Sequence, residues 1–178
     1  MPTLPHRSLL SRLAEVRLFL CDVDGVLTDG RVLCGQGQEY KAFHVADDLG
    51  QVLLQRNGIR VGWVSHRPSE ATAQHAQALG IDFLHQEPTS KVEAVERILN
   101  STGLTWDNVC YVGDDLLDLG ALKRAGFAVA VANAVEEVKA AAHYVTQAAG
   151  GTGAVREAAQ LVLEAQQRWS DLIEQFGG

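Results

Sequence analysis

The sequence predicts a doubly wound α/β domain built on a parallel sheet. Short apolar runs recur along the chain and alternate with helix-length stretches. The runs are apolar at successive positions, as strands covered by helices on both faces require. The helix-length stretches stop at glycine or Asn-Gly, at spacings that suit right-handed strand–helix–strand crossovers.

The first strand is expected at residues 17–21, RLFLC. A β-hairpin should follow, with residues 31–33 and 39–44 flanking the turn-like Gly35-Gln36-Gly37. A helix over 48–56 stops at Asn57-Gly58, and a strand runs over 59–64. Ser69 caps a helix running to Leu79, where Gly80 ends it. Then come a strand at 81–84, a helix at 90–100 and a strand at 109–112. A helix at 116–125 is stopped by Gly126, ahead of a strand at 127–131 and a helix at 135–142. One long helix near 154–175 completes the chain. No insertion is long enough for a separate cap domain. Residues 1–178 are therefore expected to form one domain, with its core at about 17–166 and the final helix running to about 175.

Bulk composition narrows the function. The net charge of -7 argues against a nucleic-acid surface, which needs a basic patch to displace counterions. An anionic substrate remains compatible, because a bound divalent cation inverts the local field. The three cysteines form no C-x-x-C pair and suit reduced thiols in the cytoplasm. The opening twenty residues make a poor signal peptide, and no run has the roughly 18 apolar residues of a membrane span. The six histidines, from His6 to His143, show no zinc-type spacing.

The chemistry concentrates in loops after strands. Asp22-Val23-Asp24-Gly25 follows the first strand directly, where an open α/β sheet forms its ligand crevice. Two crowded carboxylates repel unless a cation or proton is shared, and Mg²⁺ is the natural oxygen-loving partner. An aspartate can attack phosphorus, and a second carboxyl can shuttle the proton. A surface turn is the bland alternative. After the second long strand, Ser65 can donate to a phosphate oxygen and Arg67 can add a charge-assisted contact. Lys91 opens a helix, where a cation opposes the helix dipole. Gly113-Asp114-Asp115, with Asp118 one turn on, repeats the acidic pattern, with helix capping as the competing reading. Acid pair, hydroxyl, lysine and acid pair thus stand in order at loops that can face one crevice.

This order resembles the four-motif signature of the haloacid dehalogenase superfamily. DVDGVLTDG, KAFHVADDLG, YVGDDLLDLG and GGTGAVREAAQL are similar to the capless phosphatases acting on Kdo 8-phosphate, where Kdo is an eight-carbon acidic sugar. The likeness runs from about residue 17 to residue 166. It implies a Rossmann-like fold with a hairpin flap and no cap. Asp22 would be nucleophile and magnesium ligand. Asp24 would be general acid/base and give magnesium its backbone carbonyl. Ser65 and Lys91 would hold the phosphate, and Asp114 would complete the metal site. Asp115 and Asp118 would lie behind the ligands. The resemblance further implies a homotetramer, a small phosphorylated sugar or sugar acid as substrate, and a role in lipopolysaccharide biosynthesis.

The chain departs from the related FNVRDG pattern, reading Phe43-His44-Val45-Ala46-Asp47-Asp48. Ala46, Val52 and His75 stand where substrate-contacting arginines are common. His44, Asp47, Asp48 and Arg67 are the remaining substrate-loop candidates beside Asp24, Ser65 and Lys91. Kdo 8-phosphate is therefore expected to be either a poor substrate, with a related acidic or neutral sugar phosphate preferred, or held by groups from a neighbouring subunit. A phosphotransferase, or a non-catalytic accessory subunit keeping the fold, are the alternatives to a phosphatase.

Overall fold

The computed structural model describes residues 7–178; the opening residues, His6 among them, lie outside it. Six parallel strands form one sheet: β1 (Leu18–Cys21), β4 (Arg60–Ser65), β5 (Phe83–Gln86), β6 (Val109–Gly113), β7 (Phe127–Ala130) and β8 (Tyr144–Val145). Their order is β5-β4-β1-β6-β7-β8. The chain leaves β1 to build one side of the sheet, then returns to build the other. That reversal beside β1 creates the crevice. β1, β6 and β7 are buried along their whole length, which accounts for their unbroken apolar sequence.

The helices form two packed groups. In one, α1 (Arg7–Ala14), α2 (Val45–Arg56) and α7 (Ala154–Ala165) pack together, with α8 (Trp169–Gly177) outside α7. In the other, α4 (Lys91–Thr102), α5 (Leu119–Leu122) and α6 (Glu136–Ala141) pack together. α3 (Glu70–Leu79) lies against the hairpin. Ser69 caps α3 as its sequence suggests, accepting a hydrogen bond from the Thr72 amide. The core is one continuous cluster that includes Phe19, Trp63, Tyr111 and Phe127. Each such side chain contributes roughly 1.5–3 kcal/mol on burial. No helix among the described residues is long and apolar enough to cross a membrane.

The hairpin comprises β2 (Leu33–Gly35) and β3 (Gln38–Tyr40), joined by Gln36-Gly37. Both turn residues have positive φ, 54° and 75°, the backbone that matches a two-residue turn to the strand twist. The first strand is shifted two residues from the expected 31–33, and the second is shorter than the expected 39–44, because residues 41–44 leave the ladder. No separate cap interrupts the fold among the described residues.

Four expectations need correction. The sheet carries a sixth strand, β8, only two residues long and so without a pattern to detect. The helix expected at 116–125 is a 3₁₀ turn, Leu116–Asp118, followed by the short α5. α2 begins at Val45 rather than at residue 48. The long final helix breaks in two at Gln167, whose φ is 59°. There the preceding Gln166 side chain turns inward and donates to the carbonyls of Leu13 and Val16. Satisfying those carbonyls at the end of α1 competes with continuing the helix.

Candidate active site

Register brings the sequence motifs together. Asp22 directly follows β1, Ser65 ends β4 and Asp114 directly follows β6. These are three adjacent strands, so the residues converge at the carboxyl end of the sheet's centre. The Asp22 amide donates to the Val112 carbonyl at 3.0 Å, which ties the acidic loop to β6. Lys91 enters from the first turn of α4. Gly25 has φ +92°, and a Cβ there would stand 2.0 Å from Asp114 Oδ2. Only glycine lets the first loop press so closely on the second.

Lys91 is the electrostatic centre. Its Nζ lies 2.6 Å from Asp22 Oδ2 and 2.6 Å from Asp118 Oδ1. Burial opposes its charge, yet Asp118 and Asp22 outweigh burial and raise its pKa. Asp118 is fully buried and satisfied on both oxygens. Oδ1 also accepts from the Tyr111 hydroxyl at 2.8 Å, while Oδ2 accepts from the amides of Asp114 and Asp115. Asp118 therefore fixes Lys91 and the second acidic loop. Tyr111, absent from the sequence-based set, stands behind it; only its interior strand position gave a signal. Asp115 caps the 3₁₀ turn through the Leu116 amide.

Carboxylates of Asp22, Asp114 and Asp118 offer oxygens within 4.8 Å of one another. Burial, then Asp118, pushes the Asp22 carboxyl up to about 6 against the opposing pull of Lys91. Burial, then Asp22 and Asp118, pushes Asp114 up to about 7. Asp114 Oδ1 is buried without a hydrogen-bond partner. An unpartnered buried oxygen facing a second carboxylate fits a hard divalent cation, which takes oxygen ligands and cancels the repulsion.

A second charged group adjoins this one. Asp24 Oδ1 meets Lys41 Nζ at 2.8 Å and Arg67 Nη2 at 3.3 Å. Glu39 binds Arg67 Nη1 and accepts from the Ser69 hydroxyl at 2.7 Å. The hydrogen bond from Arg67, then that from Ser69, lowers the Glu39 pKa. Lys41 and Glu39 sit on the hairpin side of the crevice and were not singled out in the sequence. A lysine and a glutamate in a flap carry no distinctive spacing. Ser65 is buried, its hydroxyl donating to the Arg67 carbonyl at 3.2 Å.

The substrate-loop candidates separate. Asp47 is removed from that role by its contacts. It is fully buried, and its carboxylate accepts from the amides of Gly153 and Arg156 at 3.1 and 2.7 Å. It caps α7 across more than 100 residues of sequence. Burial raises its pKa despite those amides. Asp48 pairs with His75 at 2.9 Å, and His75 stacks on Phe43 with ring centres 4.1 Å apart. His44 precedes α2, and its Nδ1 is buried without a hydrogen-bond partner. Between the hairpin and α3 lies an open pocket of about 590 Å³, walled by Lys41, Phe43, Gln74 and His75.

Similarity to known proteins agrees with this geometry. Residues 66–157 match the haloacid dehalogenase-like hydrolase family. The 3-deoxy-D-manno-octulosonate 8-phosphate phosphatase of Yersinia pestis is 40% identical over 161 residues, 90% of this chain and 86% of that protein. A crystal structure of the corresponding phosphatase from Moraxella catarrhalis, in complex with magnesium, phosphate and Kdo, superimposes with a TM-score of 0.93 at 36% identity, covering 96% of this chain and 99% of that one. The cobalt-bound phosphatase of Haemophilus influenzae gives 0.86 at 36% identity, covering 89% and 94%. With its motifs on three adjacent strand ends and relatives matched over most of their length, the chain belongs to the haloacid dehalogenase-like hydrolases, in the branch of the 3-deoxy-D-manno-octulosonate 8-phosphate phosphatases.

Proposed function

We propose that the protein is a magnesium-dependent phosphatase acting on the phosphate monoester of a small sugar acid of the Kdo 8-phosphate type. The observation that carries this reading is Lys91 held at 2.6 Å from both Asp22 and Asp118, beside the unpartnered oxygen of Asp114. A salt bridge built only for stability would leave no buried carboxylate oxygen without a partner. The relatives, named as phosphatases of this substrate, support it.

The Asp22 and Asp114 carboxylates and the Asp24 backbone carbonyl would hold the metal. When bound, the ion supplies positive charge that offsets the approach of an anionic nucleophile to an anionic phosphate. The Asp22 carboxylate attacks phosphorus, the ester P–O bond breaks, and Asp24 gives its proton to the leaving oxygen. Asp24 then takes a proton from water as the water oxygen attacks the aspartyl-phosphate. The P–O bond to Asp22 breaks, releasing inorganic phosphate. Lys91 steadies Asp22 and the phosphoryl oxygens, and Ser65 donates to one of them. Asp118 holds Lys91, and Asp115 shapes the loop.

The same reading extends to assembly. The hairpin exposes Leu33 at 60%, Tyr40 at 49% and neighbouring Val32 at 41%. A two-stranded flap is marginal alone, so these side chains pack between subunits of a homotetramer. The buried, unpaired thiols of Cys21 and Cys110 support a cytoplasmic location. The test is release of phosphate from Kdo 8-phosphate and p-nitrophenyl phosphate with magnesium, chelator, and the Asp22→Asn variant. Turnover that survives chelation or Asp22→Asn refutes the reading.

A further inference from the structure

Lys41 is a buried cation that the reaction above leaves without a role. It comes from the segment just after β3, at the base of the hairpin flap. Its side chain is fully buried. Its Nζ stands 2.8 Å from Asp24 Oδ1 and 3.8 Å from Glu39 Oε1. Nζ makes no hydrogen bond of good geometry to a protein group, so these close ion pairs are what compensate its charge. Burying an ammonium is costly unless a carboxylate compensates it closely. A solvent-facing lysine would avoid that cost.

The second cation on Asp24 is itself held in place. Arg67 Nη2 reaches the same Oδ1 at 3.3 Å, and Arg67 Nη1 is gripped by Glu39. Glu39 in turn accepts from Ser69, the cap of α3. Two cations from different elements therefore make their closest contact with one oxygen of one carboxylate. The Asp24 side chain is 24% exposed, enough to swing if nothing held it.

We propose that Lys41 is the positioning residue for Asp24, and that with Arg67 it pins Oδ1 so that Oδ2 alone trades the proton with the leaving oxygen. This rests on the phosphatase reading above. The step is unchanged in its atoms: Asp22 forms the new P–O bond, the ester P–O bond breaks, and the proton on Asp24 Oδ2 passes to the departing oxygen. The device also ties the flap to the chemistry. Any shift of the hairpin base moves Lys41, and with it the orientation of Asp24.

A positioning role for the acid has a signature that loss of folding lacks. A p-nitrophenolate leaves with little help from an acid, whereas the alkoxide of a primary-alcohol sugar phosphate needs its proton. The quantity kcat/KM covers steps through the first bond cleavage, so the ratio of alkyl to aryl kcat/KM isolates proton delivery. That ratio is independent of the fraction of active protein. Lys41→Gln should lower it about 10- to 100-fold, within the range that acid catalysis supplies. The aryl ester should lose no more than about threefold in kcat/KM, while its kcat falls further, because Asp24 must still activate water for the second step. Lys41→Arg should restore most of the ratio, and Arg67→Met should show the same pattern more weakly. An unchanged ratio in Lys41→Gln, or equal losses on both esters, overturns the inference while leaving the phosphatase reading intact. A wild-type protein that releases phosphate from neither ester overturns both.

Discussion

Replacing Asp114 by asparagine removes one negative charge from a crevice holding three carboxylates within 4.8 Å of one another. Without a cation, burial, then Asp22 and Asp118, pushes the Asp114 carboxyl from 3.8 to about 7. A raised carboxyl pKa means that the folded state holds its proton more tightly than the unfolded state. Below pH ~4 both states are protonated and the group costs nothing. The penalty grows as pH rises from ~4 and is complete above about 7. About three pKa units at about 1.4 kcal/mol each give a ceiling of about 4 kcal/mol. Asp114 is partly exposed, and solvent screening reduces this to about 2 kcal/mol.

In chelator at pH 7.5, Asp114→Asn should therefore be more stable than wild type by about 2 kcal/mol, or about 4–8 °C in Tm for a domain of this length. At pH 4 the two should coincide. Magnesium should raise the Tm of wild type and barely move that of the variant, since a ligand is gone. Urea and thermal unfolding at the two pH values, with and without magnesium, measure all of this. A variant less stable than wild type in chelator at pH 7.5 would show that the cluster is not strained. An undiminished magnesium shift would remove Asp114 from the metal site.

Asp22→Asn keeps shape and removes the attacking charge, so phosphate release should fall by about three orders of magnitude or more, with an unchanged circular dichroism spectrum. Tyr111→Phe deletes the 2.8 Å hydrogen bond to buried Asp118; equilibrium unfolding should register a loss of about 1.5–3 kcal/mol. Leu33→Glu places a charge on the apolar hairpin; if the proposed homotetramer forms through this flap, light scattering should report a smaller particle for the variant than for wild type.

The placement of the candidate site was legible because it is local. Asp22, Ser65, Lys91 and Asp114 each stand at the end of a strand or the start of a helix, and parallel topology brings such ends together. What escaped depends on contacts between distant segments. Asp47 looks like a substrate residue in its loop, but its partners are amides at the start of α7. The break at Gln167 follows from Gln166 reaching back to α1, about 150 residues earlier in the chain. Lys41 is an ordinary flap residue until the hairpin folds over the crevice and buries it. The two-residue β8 has no period at all and exists only because β7 offers it a ladder.

The cations bear directly on substrate choice. Arg67 reads in the sequence as the surviving arginine able to grip a sugar acid's carboxylate, since Ala46, Val52 and His75 carry no permanent charge. In the folded chain that guanidinium already serves Glu39 and Asp24, and the hydrogen bond to Glu39 is the first cause of its raised pKa. Lys41 is spent on Asp24, and Lys91 on Asp22 and Asp118. His75 is engaged with Asp48 and sandwiched against Phe43. Freeing Arg67 for a substrate carboxylate would break its bond to Glu39, leaving Glu39 only the Ser69 hydroxyl and the more distant Lys41, and that loss offsets part of the charge-assisted bond gained. Within this chain the internal pairs thus compete with a substrate carboxylate for Arg67. A carboxylate arriving at the pocket beside the hairpin is better met by a donor from outside the chain, and in the homotetramer proposed above the apolar flap that frames the pocket would bring a neighbouring subunit there.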